Sequence, residues 1–402
     1  MILGVKKLTI RTDFSVQLPK KILFGEGAAK EIPKLVKEFN SNSVLFITDP
    51  TIRKIGLSDQ ILNSLENAGI QTEVFDQVEP EPSIKAAEKV IDISRKSEFD
   101  LTIGMGGGSS LDMAKLASIS VTNIGTLKDF VGVGMVKKPG VPKILIPTTS
   151  GTGSEITMNS IVSDKENKLK MGIVTPYIIA DVALIDPLLT ATMPPKVTSS
   201  TGLDALTHAV ESLISIDLNP FSELFAIDAI KRIFRNLPKA YHDGKNIEAR
   251  REMCLASMFA GISLGISGVC AGHAAAYSFT ISIPHGVGCA IALPYIMELN
   301  ATSCLDKMVK IAEAAGIAEK GANQKKNAYN AVNAVRVLMK EVGNPLSLKE
   351  IGISGEDIES MAKKMLTIKR LLAHNPKDLN EKDTEKLFRR MYEGLQLPLD
   401  EY

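Results

Sequence analysis

A long stretch without charged side chains constrains this chain more than any other feature. From Met253 to Met297 the sequence contains no Asp, Glu, Lys or Arg. The stretch is long enough to raise the question of a transmembrane helix. Its glycines, its serines, its two histidines and Pro284 argue against a bilayer span. We therefore predict buried core helices joined by a tight turn.

Three of the five histidines and one aspartate predict a metal site. His273 and His285 lie inside the charge-free stretch, where a buried imidazole needs a polar partner. Asp204 and His208 are four residues apart, so on a helix they share one face and can bind one ion. One carboxylate and three imidazoles suit Zn²⁺ or Fe²⁺. The alternatives are a solvated pair on a helix surface and hydrogen-bonded core histidines.

Length and patterning predict two domains. A chain of 402 residues exceeds the usual size of one compact core. Up to about residue 187, apolar strand-like runs such as 43–48, 99–103 and 143–147 alternate with helical segments, which predicts a parallel sheet with helices on both faces. Helical periodicity dominates thereafter. We place the boundary near residue 190, giving an α/β domain (1–190) and an all-helical domain (191–402).

The composition of the chain indicates which binding partners and which cellular compartment to expect. A net charge of +1, with 45% hydrophobic and 23% charged residues, indicates neither nucleic acid nor a membrane surface as a partner. The four cysteines show no C-x-x-C pair, so free thiols in a reducing cytoplasm are the simplest interpretation. Cys270 and Cys289 flank the predicted metal site, and we interpret both as small buried apolar residues.

Two glycine-rich stretches predict a nucleotide site. Residues 104–110 follow a strand and precede a helix, whose N-terminal N–H groups can bind a phosphate that approaches the glycine backbone. Residues 147–155 form a loop of hydroxyls and glycines after another strand, where open α/β sheets bind ligands. Asp49 ends an early strand, where a carboxylate accepts hydrogen bonds from a ribose and repels a 2′-phosphate. Each feature has an alternative without a ligand. Residues 104–110 would form only a tight turn, residues 147–155 a solvated loop, and Asp49 a helix cap.

Several motifs resemble those of the iron-containing alcohol dehydrogenases. They are Gly-Gly-Gly-Ser-x-x-Asp-x-Ala-Lys at 106–115, Pro-Thr-Thr-Ser-Gly-Thr-Gly-Ser-Glu at 147–155, Met-Pro-Pro at 193–195, Thr-Gly-Leu-Asp-Ala-Leu-Thr-His-Ala-Val-Glu at 201–211 and Pro-His-Gly at 284–286. The resemblance covers almost the whole chain. It implies a Rossmann-like dinucleotide-binding domain, an all-helical domain and an active-site cleft between them, in the architecture of dehydroquinate synthase.

The resemblance also implies roles for individual residues. The metal ligands would be Asp204, His208, His273 and His285. NAD rather than NADP would be the cofactor, and the enzyme would be a homo-oligomer such as a dimer. The residues implied to lie near the cofactor are Asp49, Gly106, Gly107, Gly108, Ser109, Asp112, Thr148, Thr149, Thr152, Lys170 and Leu189.

The chain departs from the family pattern in three places. The segment between His273 and His285 is shorter than in many members. Tyr277 stands where several members have another histidine near the substrate, which makes the tyrosine a candidate proton relay. Glu81 replaces the usual asparagine of a Pro-Asn-Pro loop, so we assign it no cofactor contact.

The functional hypothesis is reversible hydride transfer between an alcohol and NAD⁺. The metal would act as a Lewis acid on the alcohol oxygen, and the protein would hold the reactants together. Two alternatives remain open. One is a glycerol or polyol dehydrogenase, or another metal-dependent enzyme on the same fold, and the other is a nucleotide-binding protein with a structural metal. The choice between iron and zinc and the identity of the alcohol also stay open.

Overall fold

The computed structural model describes residues 10–167 and 169–394. Contacts divide them into two compact units. The α/β unit comprises Gln17–Thr149 and Gly153–Met193. The helical unit comprises Ser150–Thr152 and the described residues before Gln17 and from Pro194 onward.

The α/β unit contains two sheets. Its strands are β1 (Lys21–Phe24), β2 (Ser43–Ile47), β3 (Gln71–Phe75), β4 (Leu101–Gly106), β5 (Gly132–Val133), β6 (Lys143–Pro147), β7 (Asn159–Asp164), β8 (Leu169–Val174) and β9 (Val182–Ile185). The larger sheet is parallel throughout, in the order β1-β9-β6-β4-β2-β3. The smaller sheet, in the order β5-β8-β7, joins one parallel and one antiparallel pair. The predicted α/β fold with a parallel sheet is confirmed.

Six α-helices accompany these sheets. They are α1 (Ile32–Glu38), α2 (Pro50–Lys54), α3 (Asp59–Asn67), α4 (Ile84–Lys96), α5 (Gly108–Ser120) and α6 (Leu127–Phe130). Short 3₁₀ helices cover Ala28–Glu31, Pro176–Ile178 and Pro187–Thr190. The helical periodicity of residues 55–68 predicts one helix from Ile55 to Ala68, and the start of this prediction is wrong. The chain forms a short helix at Pro50, turns through Gly56 with φ +72° and begins α3 only at Asp59.

The larger sheet is buried on both faces. Successive residues of β2 belong to different apolar clusters, because side chains alternate across a strand. Val44 and Phe46 pack in one cluster and Leu45 and Ile47 in the other, and all four are fully buried. This explains why the strand reads as a continuous apolar run.

The helical unit contains α7 to α16. They are α7 (Pro195–Ile214), α8 (Pro220–His242), α9 (Ile247–Ser267), α10 (Ala271–Ala276), α11 (His285–Asn300), α12 (Leu305–Ala315), α13 (Gln324–Glu341), α14 (Ile358–Thr367), α15 (Lys369–Leu372) and α16 (Glu381–Glu393). Two 3₁₀ helices cover Ala301–Ser303 and Gly355–Asp357. No strand follows Ile185 in the described residues, as the all-helical prediction requires.

The charge-free stretch forms most of α9, together with α10 and α11. Residues of all three helices belong to the apolar core of the helical unit, which confirms the prediction of buried core helices. Within the described ranges, no helix is both long and apolar enough to cross a membrane.

Candidate metal centre and nucleotide turn

Helix α7 presents three acidic or imidazole side chains on one face. Asp204, His208 and Glu211 follow one another at spacings of four and three residues, so they lie above one another on the helix. Asp204 and His208 are 3% and 5% exposed, and Glu211 is fully buried. Carboxylates and imidazoles at this depth require partners from other helices.

Helices α10 and α11 supply the other two histidines. His273 lies within α10 and is 2% exposed, whereas His285 is the first residue of α11 and its side chain is 29% exposed. Gly286 permits this approach, because a Cβ at that position would lie 2.0 Å from the carbonyl oxygen of Ser200 in α7. The Pro-His-Gly motif therefore brings His285 against α7.

The histidines converge on Asp204. Its Oδ1 lies 3.8 Å from His285 Nε2 and 4.0 Å from His208 Nε2. The His208 and His273 rings stack with their centroids 4.8 Å apart, and the His273 and His285 centroids are 5.3 Å apart. The structure therefore places the four side chains that the sequence singled out near one another, although His208 does not belong to the tightest group of potential ligand atoms.

The tightest set of potential ligands contains a residue that the sequence analysis interpreted differently. Asp204, His273, His285 and Cys289 each offer one ligand atom, and these atoms all lie within 4.8 Å of one another. Cys289 is fully buried, as expected, but its sulfur faces the cluster. A cysteine one helical turn after His285 was the signal available in the sequence.

Three buried atoms in this cluster fit a cation. Asp204 Oδ1, His208 Nδ1 and His273 Nε2 have no hydrogen-bond partner, although the His208 nitrogen near Asp204 is Nε2. Burial also lowers the pKa of His208, despite the opposing charge of Asp204, so its imidazole is neutral and has a free lone pair near neutral pH. Lone pairs without donors, in a buried group of imidazoles and a carboxylate, suit a divalent metal.

Glu211 orients His273, a role that the sequence analysis missed. Its Oε2 lies 2.5 Å from His273 Nδ1, and its carboxylate also accepts hydrogen bonds from the backbone N–H groups of Gly272 (2.5 Å) and His273 (3.3 Å). A proton on Nδ1 leaves the lone pair on Nε2, the atom without a partner. Carboxylates orient metal-binding histidines in this way. Its spacing from Asp204 and His208 was the available signal.

Tyr277 lies beside the histidines at the end of α10. Its ring centroid is 5.4 Å from that of His285 and 6.2 Å from that of His273. The side chain is half-buried. The Tyr277 ring is therefore a neighbour of the cluster, and its role as a proton relay stays a prediction.

The α/β unit contains the glycine turn between β4 and α5. Gly106 has φ +147°, and a Cβ there would lie 2.5 Å from Ser110 Oγ and 3.1 Å from Asp49 Oδ2. Gly107 precedes the first turn of α5, with the Thr149 side chain 3.7 Å from where its Cβ would be. The turn thus exposes backbone at a helix N-terminus, which is suitable for a phosphate.

Asp49 and Lys170 both lie near this turn. Asp49 Oδ1 caps α2 by accepting hydrogen bonds from Thr51 and Ile52, while its Oδ2 lies 3.5 Å from Ser110 Oγ. The helix-cap alternative is therefore realised without excluding a second role. Lys170 forms an ion pair of 2.8 Å with Glu81, whose backbone N–H donates to Ser109 Oγ.

Other residues expected near the cofactor have internal roles. The Asp112 carboxylate accepts hydrogen bonds from Ser154 Oγ (2.6 Å) and the Ile161 N–H (2.9 Å). Thr148 is buried and its N–H donates to the Gly106 carbonyl, and Leu189 packs in an apolar cluster. Thr152 belongs to the helical unit. Cofactor contacts of these four residues remain predictions.

Comparisons with known proteins agree with this chemistry. Residues 19–187 match the family model described as iron-containing alcohol dehydrogenase, and residues 198–392 match the C-terminal model of the same family. The chain is 39% identical to long-chain-alcohol dehydrogenase 1 of Geobacillus thermodenitrificans, over 92% of this chain and 94% of that protein. It is 32% identical to the NAD-dependent methanol dehydrogenase of Bacillus methanolicus, over 86% and 91%.

A solved structure extends the likeness to three dimensions. A crystal structure of 1,3-propanediol oxidoreductase superposes with a TM-score of 0.91 at 32% identity, covering 94% of this chain and 100% of that one.

Proposed function

Because the chain belongs to the iron-containing alcohol dehydrogenase family, we propose that Asp204, His208, His273 and His285 hold its catalytic metal. Family membership confirms the predicted enzyme class, an oxidoreductase that interconverts alcohols and aldehydes with NAD, and it confirms iron as the metal of the family. The assignment of ligands is supported by one observation above all. Buried Asp204 and His273 present atoms without hydrogen-bond partners toward the other histidines.

The residues of the chain support the reaction in distinct ways. A metal supplies Lewis-acid polarisation of a substrate oxygen, and NAD supplies the hydride acceptor. Glu211 keeps the Nε2 lone pair of His273 pointing into the site. Tyr277 is proposed to carry the alcohol proton away from the site. The glycine turn at 106–109, with Asp49 beside it, is proposed to bind the pyrophosphate and the adenosine ribose of NAD.

A metal-loading experiment tests the ligand assignment. Asp204→Asn and His273→Ala should each bind less than one equivalent of iron or zinc under conditions that saturate the wild type, and both should lose turnover. The matched control is His242→Ala, which removes an exposed histidine at the end of α8. Normal metal content in both site variants would overturn the assignment.

Steady-state kinetics on the intact enzyme identify the class of alcohol that it prefers. We propose an aliphatic alcohol, since relatives are named for long-chain alcohols, methanol and 1,3-propanediol. A panel of methanol, longer alcohols, diols and glycerol, followed by NADH absorbance, ranks them by kcat/KM. Preference for glycerol would favour the polyol alternative. Tight NAD binding without any turnover would favour a structural metal.

The oligomeric state, the cellular location and the domain boundary are also part of the proposed function. We propose a cytoplasmic homo-oligomer that uses neither nucleic acid nor a membrane, consistent with a net charge of +1 and four free cysteines. We also propose that the two units are separate domains, with the boundary in the chain near residue 190. Sedimentation equilibrium tests the oligomeric state, and limited proteolysis tests the domain boundary.

A further inference from the structure

The cluster of metal-binding side chains contains a sulfur atom that the proposed ligand set does not use. Cys289 lies on α11, one turn after His285, and is fully buried. Its Sγ is 3.5 Å from His285 Nε2. It also belongs to the group of ligand atoms, with Asp204 and His273, that lie within 4.8 Å of one another.

The sulfur–nitrogen distance fits two ligands of one ion. In tetrahedral zinc sites, with zinc–sulfur and zinc–nitrogen bonds of about 2.3 and 2.0 Å, the two ligand atoms are roughly 3.5 Å apart. Cys289 Sγ and His285 Nε2 have that separation. His285 Nε2 and Asp204 Oδ1, which are 3.8 Å apart, need only a small adjustment to bind the same ion.

The lone pair of His285 argues against a simple thiol–imidazole hydrogen bond in the metal-loaded protein. A neutral imidazole has one nitrogen that accepts, and a nitrogen that binds a metal cannot also accept a proton from a thiol. If His285 Nε2 binds the ion, the adjacent sulfur either keeps its hydrogen bond to the Asp204 carboxylate or binds the ion itself.

Charge balance favours binding. The site is buried, and Asp204 is the one anionic group of the proposed ligand set that would contact a divalent cation directly, since the Glu211 carboxylate lies behind His273. A thiolate would supply the second charge, which reduces the cost of burying an uncompensated ion.

We propose that Cys289 Sγ is a further ligand of the metal held by Asp204, His208, His273 and His285. This inference rests on the proposed metal-binding function. Binding replaces the S–H bond by a sulfur–metal bond and releases one proton to solvent. A thiolate ligand makes the site favour thiophilic ions such as zinc over harder ions such as manganese.

Cobalt substitution of the intact enzyme provides a readout independent of activity. Metal-depleted protein is titrated with Co²⁺ while its absorption spectrum is recorded. Visible d–d bands report that the site is occupied, and a near-ultraviolet sulfur-to-cobalt charge-transfer band reports a thiolate ligand. We expect both features in the wild type. Cys289→Ser and Cys289→Ala should keep the d–d bands and lose the charge-transfer band.

Zinc affinity provides a second measure. Removing the sulfur should lower it by roughly 10- to 100-fold or more, since losing even an outer partner of a metal ligand has that effect. The matched control is Cys304→Ala, which removes another buried thiol, one that donates to the Asn300 carbonyl. It should keep both spectral features and the zinc affinity of the wild type.

The outcomes separate this inference from the function on which it rests. If d–d bands appear in the wild type without a charge-transfer band, Cys289 does not bind the metal, and the metal site itself survives. A charge-transfer band that persists in both Cys289 variants also overturns the inference. Absence of d–d bands in the wild type overturns the proposed metal site, and the inference with it.

Discussion

Glu211 Oε2 accepts a hydrogen bond from Nδ1 of His273 at 2.5 Å, in the fully buried interior of the helical unit. The same carboxylate accepts from the backbone N–H groups at the start of α10. It therefore fixes both the helix and the ring that the helix carries. His273 can present its Nε2 lone pair without losing a hydrogen bond elsewhere.

Replacing this carboxylate should weaken metal binding. In Glu211→Gln the side-chain oxygen can still accept a hydrogen bond but lacks the charge that favours Nδ1–H, so we expect metal affinity to fall about 10- to 100-fold. Competition with a chromogenic chelator measures the change. The control is Glu298→Gln, which alters another buried glutamate, paired with Arg336 and Arg390. Equal affinity in wild type and Glu211→Gln would show that Glu211 serves α10 alone.

The glycine turn should not tolerate a side chain. In Gly106→Ala the new Cβ would lie 2.5 Å from Ser110 Oγ at φ +147°, and relieving that contact moves the first turn of α5. We expect a loss of roughly 1 to 3 kcal/mol in the free energy of unfolding, together with weaker NAD binding in calorimetry.

A matched glycine separates backbone strain from the close contact. Gly25 has φ +158°, and a Cβ there would meet no atom within 4 Å. Gly25→Ala should therefore retain the NAD affinity of the wild type. If both variants bound NAD as the wild type does, the turn at Gly106 would not be the pyrophosphate site.

Tyr277→Phe tests the proton relay. Removing the hydroxyl should lower kcat by about 100-fold or more, the usual range for general acid–base catalysis, and should alter the pH profile of kcat. Metal content and NAD affinity should not change, because the ring remains beside His285. Tyr295→Phe, which removes a hydroxyl that donates to the Leu346 carbonyl, is the control. An unchanged kcat would assign proton transfer to water.

Glu155 should make stability depend on pH. Burial raises the pKa of this carboxyl from 4.5 to about 7, although a backbone hydrogen bond and the charge of Lys115 oppose the shift. Between pH 4.5 and about 7, the Glu155 carboxyl stays protonated in the folded protein but is ionised in the unfolded chain. The free energy of unfolding therefore falls as pH rises through the window, by up to about 3 kcal/mol.

Glu155→Gln should remove this dependence. Its melting temperature relative to the wild type should rise from pH 4.5 to 7 and then level off, as thermal scans across the window would show. The exposed Glu166→Gln, on the turn between β7 and β8, should follow the wild type throughout. A constant difference between Glu155→Gln and wild type would contradict the raised pKa.

Local sequence was sufficient for much of the architecture. Alternating apolar strands and amphipathic helices predicted the parallel sheet, because the side-chain period and burial of each segment are encoded within it. The same logic placed the start of one helix, predicted from Ile55 to Ala68, too early, because that helix begins at Asp59. There Asp49 caps a separate short helix at Pro50, and the chain breaks at Gly56 before α3. The left-handed backbone at Gly56, which periodicity does not encode, interrupts the helical pattern.

The sequence by itself determined which side chains were chemically unusual: histidines kept in a charge-free stretch, an aspartate and a histidine one helical turn apart, and glycines after a strand. Only the tertiary structure decided their distances. Cys289 read as a small apolar residue and Glu211 as part of a motif, yet packing of α10 and α11 on α7 places one beside His285 and the other against His273. Spacing along one helix specifies neighbours on that helix, whereas contacts between helices depend on how all the side chains between them pack.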